Sequence, residues 1–200
     1  MSARLSVDEA VAALAQGRIV ALPTDTVYGV GASLDQPAAV TSLFALKERP
    51  TSVALPVVAD SSESVSELTM RWPAGAARLS RAFWPGALTL VVGAGEPLCE
   101  LVRSASHRVG FRVPADAALL EVLRRSGPLA LTSANLHGAS PCVSADEVLA
   151  QFVGREELFG VLDAGRRDAV VSTVVEFDGD AWSIVRQGAI AATDIAAALA

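Results

Sequence analysis

Two residue types that can do chemistry occur once each in this chain of 200 residues. Lys47 is the single lysine, so the other fifteen of the 16 basic side chains are arginines, and Asn135 is the single asparagine. Lysine carries a compact charge on a flexible chain, and a planar guanidinium cannot replace it at every site. A single lysine in an arginine-rich chain therefore suggests a position where arginine does not serve. We therefore predict a reactive site where Lys47 and Asn135 meet. The alternative is compositional drift that left one of each.

A run of small hydroxyls and glycines, Thr24-Asp-Thr-Val-Tyr-Gly-Val-Gly31, follows a buried strand that we predict over residues 18–23. Hydroxyls and exposed backbone N–H groups are suited to holding a carboxylate or a phosphate. The run is not a Walker A loop, because no Gly-Lys-Ser/Thr follows it. An ordinary turn between strands is the open alternative.

Two arginines lie four positions apart in Arg108-Val-Gly-Phe-Arg-Val-Pro114. Side chains alternate between the faces of a strand, so Arg108, Gly110 and Arg112 share one face and the apolar residues share the other. Two arginines beside a glycine suggest a seat for an anion. A solvated sheet face is the alternative on pattern alone.

Polar residues also follow the ends of two predicted elements. A helix that begins near Pro37 places Lys47 and Arg49 at its exit, a loop position that suits function, although Arg49 could simply complement the helix dipole. The apolar strand over residues 128–133 ends in polar residues and is followed by Asn135. Chemistry in open α/β sheets gathers at such strand ends.

The composition limits the classes of protein to which this chain can belong. The hydrophobic fraction is 52% and the charged fraction 19%, as in a globular chain. The net charge of −6 argues against a protein that coats nucleic acid non-specifically. No apolar run is long enough for a membrane span. Cys99 and Cys142 lack metal-ligand spacing and are too few for a disulfide framework, so we expect no protein-held metal and a cytoplasmic setting.

The remaining signals alternate between helices and strands. We predict one domain over residues 1–200, with an α/β fold of α+β character and a twisted, mixed open sheet flanked by helices. The predicted helices cover residues 7–16, 37–47, 62–70, 74–83, 116–125, 145–152 and the end of the chain from Thr193. Further strands are predicted over 52–59, 87–92, 158–162, 172–177 and 182–186.

Several of these stretches together resemble the YrdC-like family, in the family's order and spacing and from about residue 7 to residue 190. They are Leu22-Pro-Thr-Asp-Thr-Val-Tyr-Gly-Val-Gly-Ala32, Lys47-Glu-Arg-Pro50, Phe83-Trp-Pro-Gly-Ala-Leu-Thr-Leu90, Phe111-Arg-Val-Pro114, Ser133-Ala-Asn135, Ser172-Thr-Val-Val175 and Arg186-Gln-Gly-Ala-Ile190. The resemblance implies a YrdC-like fold in its single-domain form. It also implies threonylcarbamoyl-AMP synthase activity, in which L-threonine, bicarbonate and ATP give an activated intermediate for tRNA modification.

The resemblance further implies roles for single residues. Lys47, Arg49, Ser133 and Asn135 fall on the family's signature tetrad around ATP, and Arg186 falls on another nucleotide-binding position. Lys47 and Arg49 are the expected catalytic cations. ATP would enter as a substrate that carries its own Mg²⁺.

Three other residues fall on family positions that hold threonine. They are Thr26, Arg112, which would bind the carboxylate, and Ser172. Partners implied by the resemblance are the small-molecule substrates and downstream tRNA-modification proteins, with no membrane.

The chain departs from the family at two places. Val58 stands where a histidine near the threonine is usual, and Gln187 stands where proline is usual. A related acyl acceptor, or a paralogue with weakened activity, therefore stays open beside threonine. Two further alternatives are a non-catalytic module that binds double-stranded RNA and a carbamoyl-transfer domain.

Overall fold

One mixed β-sheet forms the centre of the computed structural model, which describes residues 3–48, 50, 53–136, 138–168 and 170–200. Within these residues the sheet has ten strands. They are β1 (Ala3–Leu5), β2 (Ile19–Pro23), β3 (Tyr28–Ser33), β4 (Val57–Val58), β5 (Leu88–Gly93), β6 (Arg108–Arg112), β7 (Leu129–Ser133), β8 (Leu158–Leu162), β9 (Thr173–Asp178) and β10 (Ala181–Arg186).

Helices flank this sheet along the described chain. They are α1 (Val7–Ala15), α2 (Pro37–Leu46), α3 (Ser62–Glu67), α4 (Ala74–Phe83), α5 (Glu96–Leu101), α6 (Ala117–Ser126), α7 (Ala145–Gln151) and α8 (Ala192–Leu199). Among the residues described, no helix has both the length and the apolar character needed to cross a membrane.

The strand order is β1-β8-β2-β3-β7-β4-β6-β5-β9-β10, so the sheet is open and has β1 and β10 at its edges. The sheet contains parallel pairs, such as β2 with β8 and β5 with β9, and antiparallel pairs, such as β3 with β7 and β5 with β6. The predicted α/β fold, a mixed open sheet flanked by helices, is confirmed.

The two halves of the sheet are covered differently. In β2, Ile19 and Ala21 join one buried cluster, and Val20 and Leu22 join a second cluster on the other face. The second cluster is formed with α1 and α6, so both faces of this half are buried. In β5 and β9, by contrast, buried residues alternate with partly exposed ones. One face of that half is therefore core, and the other is free to line a groove.

Local signals placed several elements correctly. Ser6 caps α1, and its backbone N–H donates to Glu9 Oε2 over 2.8 Å, which completes a capping box. Helix α4 and strand β8 have the predicted bounds. At α7 the sequence also predicts a capping box between Ser144 and Glu147, and only half of it forms. Ser144 Oγ accepts from the Glu147 N–H, but the Glu147 carboxylate accepts from the Val143 N–H.

The prediction for residues 24–31 needs correction. The turn ends at Val27, and Tyr28–Ser33 is the fully buried strand β3. A Cβ on Gly29 or Gly31 would lie 2.9 Å or 2.8 Å from the side chain of Leu131 on the neighbouring strand. These glycines therefore let two strands pack closely, and their N–H groups do not form an exposed anion loop.

Three other elements also differ from expectation. The strand predicted over residues 52–59 is reduced to Val57–Val58, because the Leu55 N–H donates to the Val102 carbonyl outside the sheet. Residues 51 and 52 lie outside the described part of the chain. The short elements β1 and α5 were not predicted, since each spans at most six residues and shows no clear periodicity.

Candidate functional site

A groove of about 440 Å³ crosses the free face of the sheet, over the seven neighbouring strands from β3 to β10. Its floor on β6 consists of Arg108, Gly110 and Arg112, while Val109 and Phe111 are buried on the other face. The predicted alternation along this strand is therefore confirmed. The groove lining also includes four other predicted site residues, namely Thr26, Ser133, Ser172 and Arg186.

Lys47, the C-terminal cap of α2, lies behind the first corner of the groove, with only 2% of its surface exposed. Its neighbours Thr132 and Ser133 line the groove. The Lys47 Nζ lies 3.2 Å from Asn135 Oδ1 and 3.5 Å from the hydroxyls of Thr132 and Ser133. It also donates to the Ser133 carbonyl. The single lysine and the single asparagine do meet, at the end of β7.

Asn135 is itself held in one orientation. Its Nδ2 donates to the carbonyls of Leu136 and Ala139 over 2.8 Å and 2.9 Å. An amide that uses its nitrogen in this way must turn its oxygen the other way, toward Lys47. Ser133 Oγ donates to the same oxygen over 2.6 Å. We name Lys47, Thr132, Ser133 and Asn135 the lysine corner.

The second corner is formed by Arg112, which is 9% exposed, together with Thr24, Asp25 and Thr26, and we name these residues the arginine corner. Arg112 Nη1 donates to Thr26 Oγ1 over 3.0 Å, so the structure brings together two predicted threonine-site residues. Its Nε donates to the Gly86 carbonyl over 2.9 Å, and its Nη2 to Asp25 Oδ1 over 2.7 Å. Burial lowers the pKa of Arg112, and the Asp25 carboxylate acts in the opposite direction. The guanidinium nevertheless stays charged, as arginine does in proteins.

Two residues of this corner belong to the hydroxyl-rich run singled out in the sequence but were given no individual role there. Asp25 is one, and Thr24, which is 4% exposed, is the other. The Thr24 hydroxyl accepts from the backbone N–H groups of Thr26 and Val27 and donates to the Val27 carbonyl over 2.7 Å. Threonine hydroxyls often close turns in this way. For residues 24–27 the structure therefore agrees with the alternative of a turn between strands.

The third corner joins Ser172 to Arg186 on β10. Arg186 Nη2 donates to Ser172 Oγ over 2.9 Å, and its Nε donates to the Ser172 carbonyl over 3.1 Å. Ser172 Oγ also lies 2.9 Å from Thr89 Oγ1. Partial burial lowers the pKa of Arg186. A Cβ on Gly188 would lie 2.4 Å from the Ser172 backbone, so glycine is needed where the chain leaves β10.

The remaining predicted positions are placed as follows. Arg49 lies outside the described residues. Val58, which replaces the family's usual histidine, is 4% exposed, lines the groove and pairs in register with Arg112. That position therefore adjoins the arginine corner.

Two kinds of chemistry find no support at this site. Among the described residues, no group of three or more histidine, cysteine or acidic side chains could hold a metal ion. Burial raises the pKa of the Cys142 thiol to about 11, so it is protonated at neutral pH and is not a nucleophile. What remains is a groove that presents hydroxyls and fixed cations, which is suited to aligning anionic substrates.

Comparison with known proteins gives one consistent result. The family model for Sua5, YciO and YrdC proteins, described as telomere recombination, matches residues 12–188. A Mycobacterium leprae relative is 39% identical over 95% of this chain and 86% of its own. A Pyrococcus abyssi protein named threonylcarbamoyl-AMP synthase is 34% identical over 90% of this chain, which spans only 53% of that relative. The crystal structure of P. abyssi Sua5 complexed with L-threonine superposes with a TM-score of 0.90, at 30% identity, over all of this chain and 60% of that one.

Proposed function

This chain belongs to the Sua5/YciO/YrdC family, and on that premise we propose that it is a threonylcarbamoyl-AMP synthase. The reaction would join L-threonine, bicarbonate and ATP into threonylcarbamoyl-AMP and pyrophosphate, which is a nucleotidyl transfer. The names of relatives and the L-threonine complex of a neighbouring structure support the enzyme over the RNA-binding alternative.

The observation that carries the proposal is that three cation-bearing corners lie around one groove. Arg112 lies on the floor of the groove, Arg186 at one wall, and Lys47 behind the other wall. Each contacts a hydroxyl residue that lines the groove. A carboxylate, a carbamate and a triphosphate must be brought together in the reaction, and each needs a positive partner. The groove offers such partners on three sides.

The arginine corner is the proposed site for the threonine carboxylate. A guanidinium binds carboxylates through charge-assisted hydrogen bonds that are stronger than neutral ones. Thr26 contacts Arg112, and Ser172 lines the same groove, so both are proposed to bind threonine with it. Val58 beside Arg112 would provide an apolar wall in place of the family's histidine.

The lysine corner and Arg186 are the proposed nucleotide site. Lys47, Ser133 and Asn135 would contact ATP from one wall and Arg186 from the other. Arg49, two positions after Lys47, is proposed to act with Lys47 in catalysis. Mg²⁺ would arrive with ATP as part of the substrate.

The chemistry requires alignment more than covalent catalysis. The threonine amine and bicarbonate give a carbamate with loss of water, and a carbamate oxygen then attacks the α-phosphorus and expels pyrophosphate. Negative charge spreads over the phosphoryl oxygens in such a transition state. Lys47 and the arginines would stabilise it, and one well-aimed donor typically contributes about 3–4 kcal/mol.

The product would pass to downstream enzymes that modify tRNA, so we also propose a cytoplasmic location. Binding of the chain to RNA is not required for the reaction. The net charge of −6 would oppose non-specific contact with phosphates.

A pyrophosphate-release assay tests the proposal. We expect release only when L-threonine, bicarbonate and ATP are all present, together with a product of the mass of threonylcarbamoyl-AMP. Release without threonine, or with a different amino acid in strong preference, would overturn the assignment of the acceptor. Absence of release under all conditions, with tight binding of double-stranded RNA, would favour the RNA-binding alternative.

A further inference from the structure

We propose that Asp25 is a positioning residue that holds Arg112 in the orientation in which it binds the substrate carboxylate. The inference deepens the proposed function and rests on it where threonine is concerned. Asp25 Oδ1 accepts from Arg112 Nη2 over 2.7 Å, and the two side chains are only 18% and 10% exposed.

Asp25 acts on Arg112 from outside the groove. Thr26 and Arg112 line the groove, whereas Asp25 does not. The same Asp25 oxygen also accepts from the Ala115 N–H over 3.0 Å, which ties the carboxylate to the loop after β6. The carboxylate is therefore fixed behind the guanidinium, and a substrate would approach from the other side.

The three contacts of the Arg112 guanidinium differ in charge. The Gly86 carbonyl and the Thr26 hydroxyl are neutral, and Asp25 supplies the negative charge. Removing one partner of a buried ion pair leaves an uncompensated charge, which is strongly unfavourable. Without the Asp25 charge, the guanidinium would gain by turning toward solvent and away from the position it needs to bind the substrate.

The turn that carries Asp25 does not depend on the Asp25 carboxylate. Thr24 closes this turn through bonds to Thr26 and Val27. The lysine corner is anchored separately, on β7. An Asp25→Asn variant should therefore keep the fold and the ATP site, and lose the orientation of Arg112 alone.

The chain offers a matched control in Asp163. Its carboxylate likewise accepts from an arginine, Arg4 Nε over 2.9 Å, and from a backbone N–H, that of Gly165 over 3.0 Å. It also accepts from the Tyr28 hydroxyl over 3.4 Å, but Tyr28 has a shorter bond of 2.8 Å to the Gly165 carbonyl, which the substitution leaves in place. Asp163 does not line the groove. Asp163→Asn therefore reproduces the loss of a charged arginine contact at a place where the proposal expects no effect on threonine.

The first experiment compares KM values in the full chain. For Asp25→Asn we expect the KM for threonine to rise about tenfold to a hundredfold, with the KM for ATP changed less than about twofold. Asp163→Asn should change neither. An equal rise in both KM values for Asp25→Asn would mean a merely structural role and would overturn the proposal.

A double variant tests whether Asp25 acts through Arg112. In Asp25→Asn/Arg112→Lys the threonine KM should be no higher than in Arg112→Lys alone, because coupled residues are not additive. Fully additive effects would show that Asp25 acts independently and would overturn the positioning role.

A spectroscopic measurement separates this inference from the proposed function. The Arg112 Nε–H signal, identified by its absence in Arg112→Lys, should exchange slowly in the wild-type chain because it is buried and bonded to Gly86. In Asp25→Asn we expect exchange at least tenfold faster, whether or not the chain turns over threonine. An unchanged rate would overturn the proposal, whereas missing pyrophosphate release in the wild type would overturn only the function.

Discussion

The cations at the two walls of the groove differ in burial and in their position along the sheet. Lys47 comes from the end of α2, is 2% exposed and reaches into the middle of the sheet, where β7 surrounds its ammonium with oxygens. Arg186 ends β10 at the sheet edge, in a strand whose residues are mostly exposed. Its bonds to Ser172 are its described contacts with the groove.

This difference shows which parts of the site are rigid. A buried cation among fixed acceptors cannot be moved or enlarged without disturbing the packed core, because interiors are as dense as crystals. A cation at an exposed edge can adjust through its rotamers. Arg112, which is buried but held by one turn and one loop, is intermediate between Lys47 and Arg186. Substitutions that keep the positive charge but change the shape of the side chain should therefore reduce activity to different extents at Lys47, Arg112 and Arg186.

The largest effect is expected for Lys47→Arg. A guanidinium needs more room than the space between Thr132, Ser133 and Asn135 offers, and overpacking a dense site distorts it. We expect pyrophosphate release to fall at least about a hundredfold, the scale of losing one transition-state donor. Arg124→Lys, which exchanges an exposed cation on α6, should leave the rate unchanged.

A near-normal rate of pyrophosphate release in Lys47→Arg would show that the buried wall is no more rigid than the exposed one. The requirement for a compact ammonium would then be wrong. Melting temperatures of both variants should be measured alongside, so that unfolding is not mistaken for loss of catalysis.

An intermediate effect is expected for Arg112→Lys. Lysine keeps the charge but cannot bind a carboxylate through two parallel N–H bonds. The loss should be about 1.5–3 kcal/mol, which is roughly a tenfold to hundredfold weaker binding of threonine. Calorimetry with each substrate should show binding of ATP changed by less than threefold. If binding of ATP and binding of threonine are weakened equally, Arg112 contacts phosphate as well, and the division into a threonine site and a nucleotide site is wrong.

The smallest effect is expected for Arg186→Lys. A lysine at the exposed edge keeps the positive charge and one hydrogen bond to Ser172, while it loses the bond from Nε. We expect the KM for ATP to rise about threefold to fivefold, because exposed charge contacts contribute below about 1 kcal/mol. A loss as large as that of Lys47→Arg would show that the edge wall is as rigid as the buried one.

Much of the fold could be read from local pattern. The helices predicted over residues 7–16 and 116–125 are both present, and Ser6 and Asp116 cap them. The alternation along β6 correctly placed Arg112 opposite Phe111. These features depend on residues within a few positions of one another, so they can be predicted from local sequence.

The short or ambiguous segments could not be read in the same way. Tyr28–Ser33 has the composition of a loop, yet it forms a buried strand because its glycines fit against Leu131. Asp25 looked like an ordinary turn residue, and no nearby residue identifies its partner. In both cases the deciding contact comes from a distant part of the chain.

The sequence by itself determined which residues could do chemistry and which face of an element they share. Single lysine and asparagine residues pointed to one site, and their contact was expected without any knowledge of the path between them. Only the tertiary structure decided how that contact forms, across 88 positions, and that Asp25 pairs with Arg112 across 87. The physical reason is that side-chain direction follows from local backbone geometry. Strand neighbours such as β3 beside β7 are instead chosen by packing of the whole sheet.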